Sequence, residues 1–183
     1  AMLIEPTPLA GAHLVLLDPI EDERGFFARA FDADIFAAHG MADRFAQCSL
    51  SFNKRKGTLR GLHYQAPPHL EEKLVRCVRG AVYDAIVDLR RDSPTFGRWW
   101  GTELSESNRH AIYIPQGFAH GFQTLVDNSE LFYQISVPFV PEGARGLAWN
   151  DPDLDIAWPD VPGAITSERD RTHPRLRDVA PLA

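Results

Sequence analysis

Ala81-Val82-Tyr83-Asp84-Ala85-Ile86-Val87-Asp88-Leu89 repeats with a period of two. In an extended chain Tyr83, Ala85, Val87 and Leu89 fall on one face, and Val82, Asp84, Ile86 and Asp88 on the other. Outward from this run, short stretches rich in Val, Ile, Phe, Tyr and Thr predict further strands. They lie at His13–Leu17, Phe45–Phe52, Thr58–Tyr64, Lys73–Val78, Trp99–Leu104, Ala111–Ile114, Phe118–Leu125 and Leu131–Val137. Many short strands with closely spaced turn signals predict an antiparallel sandwich or barrel. One helix is expected, Asp32–His39, closed by Gly40. The Pro- and Asp-rich segment 149–183 is expected to pack on the barrel as loops and short turns. Glycine and proline are spread along the chain rather than gathered in a linker, and no repeat divides it. The reading is one mostly-β domain over residues 1–183, with Ala1 ahead of Met2 as a cloning remnant.

Composition narrows the function. A formal net charge of -6 repels a polyanion, so no nucleic-acid partner is expected. Any phosphate bound here must be met by a few placed Arg or Lys side chains. No apolar run approaches the roughly 18 residues of a membrane span, so no membrane partner is expected. The chain opens without a basic, then apolar, then small-residue leader. Cys48 and Cys77 form no CxxC pair, and two free thiols in a cytoplasmic protein are the expectation.

Pattern searches exclude GxGxxG after a strand, GxxxxGK[ST], HExxH and GxSxG. The histidines form no HxH or HxxxH pair. The nearest two, His63 and His69, are separated by Pro67-Pro68, an unusual spacing for ligands, so no metal centre is expected. Three other segments place basic or imidazole side chains inside apolar strands: Leu59-Arg60-Gly61-Leu62-His63-Tyr64-Gln65, Lys73-Leu74-Val75-Arg76, and Ile114-Pro115-Gln116-Gly117-Phe118-Ala119-His120-Gly121-Phe122. Burying such groups without partners costs several kcal/mol, so they line a cavity or pair with acids. Phe118, His120 and Phe122 share a face, as do Lys73, Val75 and Cys77. Arg60 and His63 have opposite parity and reach one pocket only if Gly61 marks a bulge or twist. Asp84 is either a buried carboxylate paired with Lys73 or His120, or a solvated strand residue. Trp99-Trp100 reads as core or subunit contact.

These segments, with Asp22-Glu23-Arg24-Gly25-Phe26-Phe27, Asp88–Gly97, Phe132-Tyr133, Trp149-Asn150-Asp151-Pro152 and Ser167-Glu168-Arg169-Asp170, resemble the dTDP-4-dehydrorhamnose 3,5-epimerase family. The matching stretches run in family order over nearly the whole chain. The resemblance implies a cupin-type jelly-roll β-barrel (a double-stranded β-helix) with few short helices and a homodimer. It also implies a nucleotide-diphosphate 4-keto-6-deoxy sugar as substrate and no metal or organic cofactor. His63 matches the catalytic base, Asp170 its hydrogen-bonded acid, and Tyr133 the phenol that returns a proton. Lys73 and His120 match residues at the ketone oxygen. Arg24, Gln47 and Arg60 match positions that bind the nucleotide diphosphate-sugar.

The chemistry asks for the same residue types. Protons alpha to a ketone are removable only if the enolate oxygen is stabilised. A base working near pH 7 suits imidazole, with an ordinary pKa of about 6.5. Inversion needs a second proton donor on the opposite face of the ring. The chain departs from the family pattern at Arg29, where an acid is common, at Ser49, where Asn is frequent, and at Val137-Pro138-Phe139, where a Tyr is usual. The expected reaction is epimerisation at C3 and C5. Its rivals are C3-only or C5-only epimerisation, 3,4-ketoisomerisation, a metal-dependent cupin oxygenase and a non-catalytic sugar-binding module.

Overall fold

The run Val82–Leu89 is buried on both faces, Tyr83 only partly, in the computed structural model, which describes residues Ala1–Ala183. Two sheets and a C-terminal segment cover it. The chain forms β1 (Leu3–Pro6), β2 (His13–Leu16), β3 (Ile20–Asp22), β4 (Gly25–Phe27), α1 (Ala33–Ala38), β5 (Gln47–Asn53) and β6 (Leu59–Gln65). It continues through β7 (Lys73–Arg79), β8 (Ala81–Asp88), β9 (Trp99–Ser105), β10 (Ala111–Ile114), β11 (Phe118–Thr124), β12 (Ser129–Ile135) and β13 (Ala144–Gly146). One sheet has the order β1-β2-β10-β7-β12-β5 and the other β13-β6-β11-β8-β9; β3 and β4 make a separate hairpin. From β5 to β13 every consecutive strand changes sheet except β8 to β9. That antiparallel interleaving is the cupin-type jelly roll expected.

The inward face of β8 places Val82 and Ile86 against Val75, Cys77, Ile112, Ile114, Phe122 and Leu131, which fill the space between the sheets. Its outward face, with Ala85 and Val87, is covered by Leu147, Leu154, Ile156, Trp158 and Leu182. The segment 149–183 therefore supplies a second apolar layer while remaining loops and short turns. Each such side chain contributes about 1.5–3 kcal/mol on burial. Trp100 packs on the inter-sheet core and Trp99 on the outer layer.

Helix α1 lies inside the expected limits. Asp32 caps it by accepting from the Asp34 and Ile35 N–H groups, and Phe36 buries against Val15, Leu74 and Tyr113. Three expectations need correction. Phe45 precedes its strand, which starts at Gln47; β12 stops at Ile135 rather than Val137; and β1, the β3–β4 hairpin and β13 were absent from the sequence reading. Beyond Ile135 the Ser136 N–H turns to the Glu72 carbonyl and its hydroxyl accepts from the Glu72 N–H, ahead of Pro138, which carries no ladder donor.

The parity conflict between Arg60 and His63 is resolved by a bulge. In the β6–β11 ladder His63 pairs with His120 but Arg60 pairs with Phe122, so three steps on β6 match two on β11. Leu59 and Leu62 consequently both face the outer layer, and Arg60 and His63 both face inward. Gly61 makes this possible. Its φ is +133°, and a Cβ there would lie 2.7 Å from Gly121 Cα and 3.0 Å from the His120 carbonyl oxygen. Gly61→Ala is expected to destabilise the fold by about 2–4 kcal/mol through backbone strain and overpacking. Denaturant unfolding would check this, and an unchanged midpoint would contradict it.

Candidate active site

The bulge on β6 and the two inward-facing strands β7 and β12 bring His63, Lys73 and Tyr133 to one cleft. His63 comes from the five-stranded sheet, whereas Lys73 and Tyr133 come from the six-stranded sheet opposite. The cleft has a volume of about 280 Å³, and Gln65, Glu71, Ile135, Phe139, Arg145 and Arg169 complete most of its wall. That is just below the ~300–1,000 Å³ of sites enclosing a drug-sized ligand. A larger cleft of about 580 Å³ lies elsewhere, between Gly11, His13, His39, Glu72, Arg90 and Tyr113, and holds none of the expected residues.

His63 is the accessible member of a hydrogen-bonded group. Its side chain is 47% exposed, and its Nε2 lies 2.7 Å from Asp170 Oδ1. Asp170 sits in a 3-10 turn, Arg169–Arg171, beneath β6. Its Oδ2 accepts from the Gly61 N–H at 3.1 Å, and its Oδ1 also meets His173 Nε2 at 3.0 Å. Burial pushes the Asp170 carboxyl upward, but the hydrogen bond and charge of His63 outweigh it. With help from Gly61 and His173 they hold it at about 2. An ionised carboxylate accepts only, so neutral His63 keeps its proton on Nε2 and leaves Nδ1 as the base.

Opposite His63, Tyr133 is anchored by β12 pairing with Val75 on one side and Ser49 on the other. Burial raises its phenol well above the ordinary tyrosine value. The charge of Asp84 adds to this, and Arg60 opposes it. The phenol therefore holds its proton and is suited to act as an acid. Lys73 is buried, with Glu71 Oε1 3.7 Å from its Nζ. Its own side chain is only 11% exposed, so its ammonium group acts where charge stabilisation is stronger than in water.

His120 occupies a different place from the one expected. It is buried behind Tyr133, with ring centroids 5.8 Å apart, and its Nε2 lies 2.7 Å from Asp84 Oδ2. It does not line the cleft wall. Asp84 is the buried carboxylate of the two alternatives: it is fully buried, and its Oδ1 has no hydrogen-bond partner. Burial raises its carboxyl, while His120 and Lys73 pull the other way.

The expected binding residues divide. Arg60 extends along β5, donating to Asn53 Oδ1 at 2.7 Å and the Phe52 carbonyl at 3.3 Å. Gln47 reaches the cleft edge, where its Oε1 accepts from the Phe139 N–H at 2.9 Å. Arg24 stands apart on the β3–β4 hairpin, paired with Asp22, in a separate surface hollow. Within one chain it does not join the His63 cleft. Sequence reasoning missed a role for Glu71, Arg169 and His173, which lie in loops and turns, and for Arg145, in the three-residue β13; in none of these places does periodicity carry a signal.

His63, Asp170 and His173 also form a cluster of metal-ligating types, with ligand atoms within 4.8 Å of one another. Those atoms already satisfy one another as hydrogen bonds, and an ion could enter only by replacing both contacts to Asp170 Oδ1.

A family profile described as dTDP-4-dehydrorhamnose 3,5-epimerase matches residues 6–178. The enzyme of that name from Methanothermobacter thermautotrophicus is 42% identical over 174 residues, covering 94% of this chain and 93% of its own. The crystal structure of the Bacillus anthracis enzyme with TDP and PPi bound superposes with a TM-score of 0.92 at 38% identity, covering 96% and 99% of the two chains. The Legionella pneumophila dTDP-6-deoxy-D-glucose-3,5-epimerase in complex with dTDP-4-keto-L-rhamnose gives a TM-score of 0.91 at 37% identity, covering 98% and 95%.

Proposed function

This chain belongs to the dTDP-4-dehydrorhamnose 3,5-epimerase family, and from that premise we propose that it converts dTDP-4-dehydro-6-deoxy-D-glucose to dTDP-4-dehydro-L-rhamnose. It is an isomerase. The observation that carries the assignment is the placement of His63 and Tyr133 on opposite sheets of one cleft. In our reading His63 Nδ1 removes the proton alpha to the C4 ketone, first at one carbon and then at the other. Asp170 holds the ring and stabilises the imidazolium that forms. The Lys73 ammonium meets the negative charge that develops on the ketone oxygen. Tyr133 delivers a proton to the opposite face, and configuration inverts. The ketone itself is the electron sink, so the reaction as proposed uses neither metal nor organic cofactor. Arg60 and Gln47 hold the nucleotide diphosphate side, aided at the rim by Arg145 and Arg169. His120, paired to Asp84, supports Tyr133 and the ketone end from behind.

We further propose that the working form is a homodimer of 1–183 epimerase domains. The β3–β4 hairpin leaves Ile20 73% and Phe27 67% exposed, and the edge strand β5 leaves Leu50 65% exposed. Exposed apolar side chains on a hairpin and an unpaired edge mark an interaction surface. A second copy that buries them would carry Arg24 to a neighbouring cleft. The free thiols Cys48 and Cys77 suit the reducing cytoplasm, where we place the protein. No helix is long and apolar enough to cross a membrane.

Incubation with dTDP-4-dehydro-6-deoxy-D-glucose and NMR assignment of the product tests the reading. The expected product has the L-rhamno configuration at both centres. Inversion at C3 or C5 alone, or a ketone moved to C3, would replace the assignment with one of its rivals.

A further inference from the structure

Behind His63 a second imidazole competes for its carboxylate. In the β13–β6 ladder Gly146 lies opposite His63, and the space a side chain would take at Gly146 is filled by His173. A Cβ there would fall 2.2 Å from His173 Cε1 and Nδ1. The His173 side chain is only 10% exposed and stands behind the cleft wall rather than in it. The Ala148 N–H, bonded to the Pro174 carbonyl at 2.8 Å, pins the segment in place. The two rings stand nearly perpendicular, 85° between planes and 5.8 Å between centroids, and both direct Nε2 at Asp170 Oδ1.

We propose that His173 is a positioning residue that shares Asp170 Oδ1 with His63, fixes the carboxylate against that ring and holds down the affinity of His63 for a proton. The inference rests on the reading of His63 as the base. The carboxylate stabilises a His63 imidazolium through its charge and one hydrogen bond. A second donor on the same oxygen draws off part of that charge. A base whose proton affinity is too high is already protonated at working pH, so the competing donor keeps Nδ1 available. The other ionisable groups facing this arrangement are Lys73, Glu71 and Tyr133 across the cleft, Arg145 on β13, Arg169 on the turn, and the pair of His120 on β11 with Asp84 on β8. None of them is altered by changing His173.

The test is an NMR titration of the His63 ring in the full-length protein and in three variants. His173→Phe and His173→Leu remove the donor, and His173→Gln retains one. Both donorless variants should raise the proton affinity of His63 by about 3–10-fold, and the acid limb of the solvent-exchange rate should move to higher pH with it. His173→Gln should stay near the unmodified protein. If the Phe ring is not accepted, the smaller Leu carries the same measurement. A His63 titration that is unmoved or lowered in the donorless variants would overturn the proposal. Absence of ring-proton exchange in the unmodified protein would instead overturn the epimerase reading, and the titration distinguishes the two failures because it needs no turnover.

Discussion

Alanine in place of His63 is expected to abolish solvent exchange at both C3 and C5 while leaving nucleotide binding largely intact. Only one imidazole reaches the cleft with a free nitrogen: His120 is buried against Asp84, and His173 is turned toward Asp170 behind the wall. A positioned general base typically contributes about 10²–10⁴-fold. The fold should survive the change, because the side chain is half exposed and Asp170 keeps its bonds from Gly61 and His173. The pH profile should show the same dependence on imidazole. With the Asp170 carboxyl held at about 2, that acid stays ionised wherever a histidine titrates. Loss of activity on acidification therefore reports protonation of a ring, which removes the base. Ring-proton NMR in D₂O gives the answer, and undiminished exchange in His63→Ala would remove this residue from the role.

Tyr133→Phe should separate proton removal from inversion. The aromatic ring is kept, so its packing against His120 and the inter-sheet core persists, and only the phenolic oxygen is lost. Abstraction on the His63 face should continue. The half-exposed His63 can exchange its captured proton with solvent and return it to the side it came from. Deuterium then enters the substrate with configuration retained, while inversion falls by about 10²–10⁴-fold. Equal loss of exchange and inversion would make Tyr133 a binding residue instead. The high proton affinity of this buried phenol favours the first outcome, since it arrives at the enolate as an acid rather than a phenolate.

Much of the barrel was legible because its signal is local. The alternation in Ala81–Leu89 identified a strand, and the parity clash between Arg60 and His63 pointed to the Gly61 bulge that the β6–β11 register contains. The three-residue strands of the hairpin were not legible. Ile20-Glu21-Asp22 is charged, and nothing within the chain buries it, so hydrophobic periodicity has nothing to report. Ala144-Arg145-Gly146 lacks strand propensity and pairs with β6 only because the tertiary fold brings it there. Asp84 shows the limit from another side. Its parity placed it inward and its charge argued for solvent, and the deciding partner, His120, lies 36 residues away. His173 was invisible for a similar reason, since its role depends on a space left by Gly146.

One measurement tests the central claim most directly, the turnover of the unmodified protein in D₂O with each ring position resolved by NMR. An imidazole and a phenol acting from opposite sides predict one solvent deuteron at C3 and one at C5 of the product, each delivered with inversion. Product that retains the substrate's original hydrogens at those carbons, or label at one carbon alone, would contradict it.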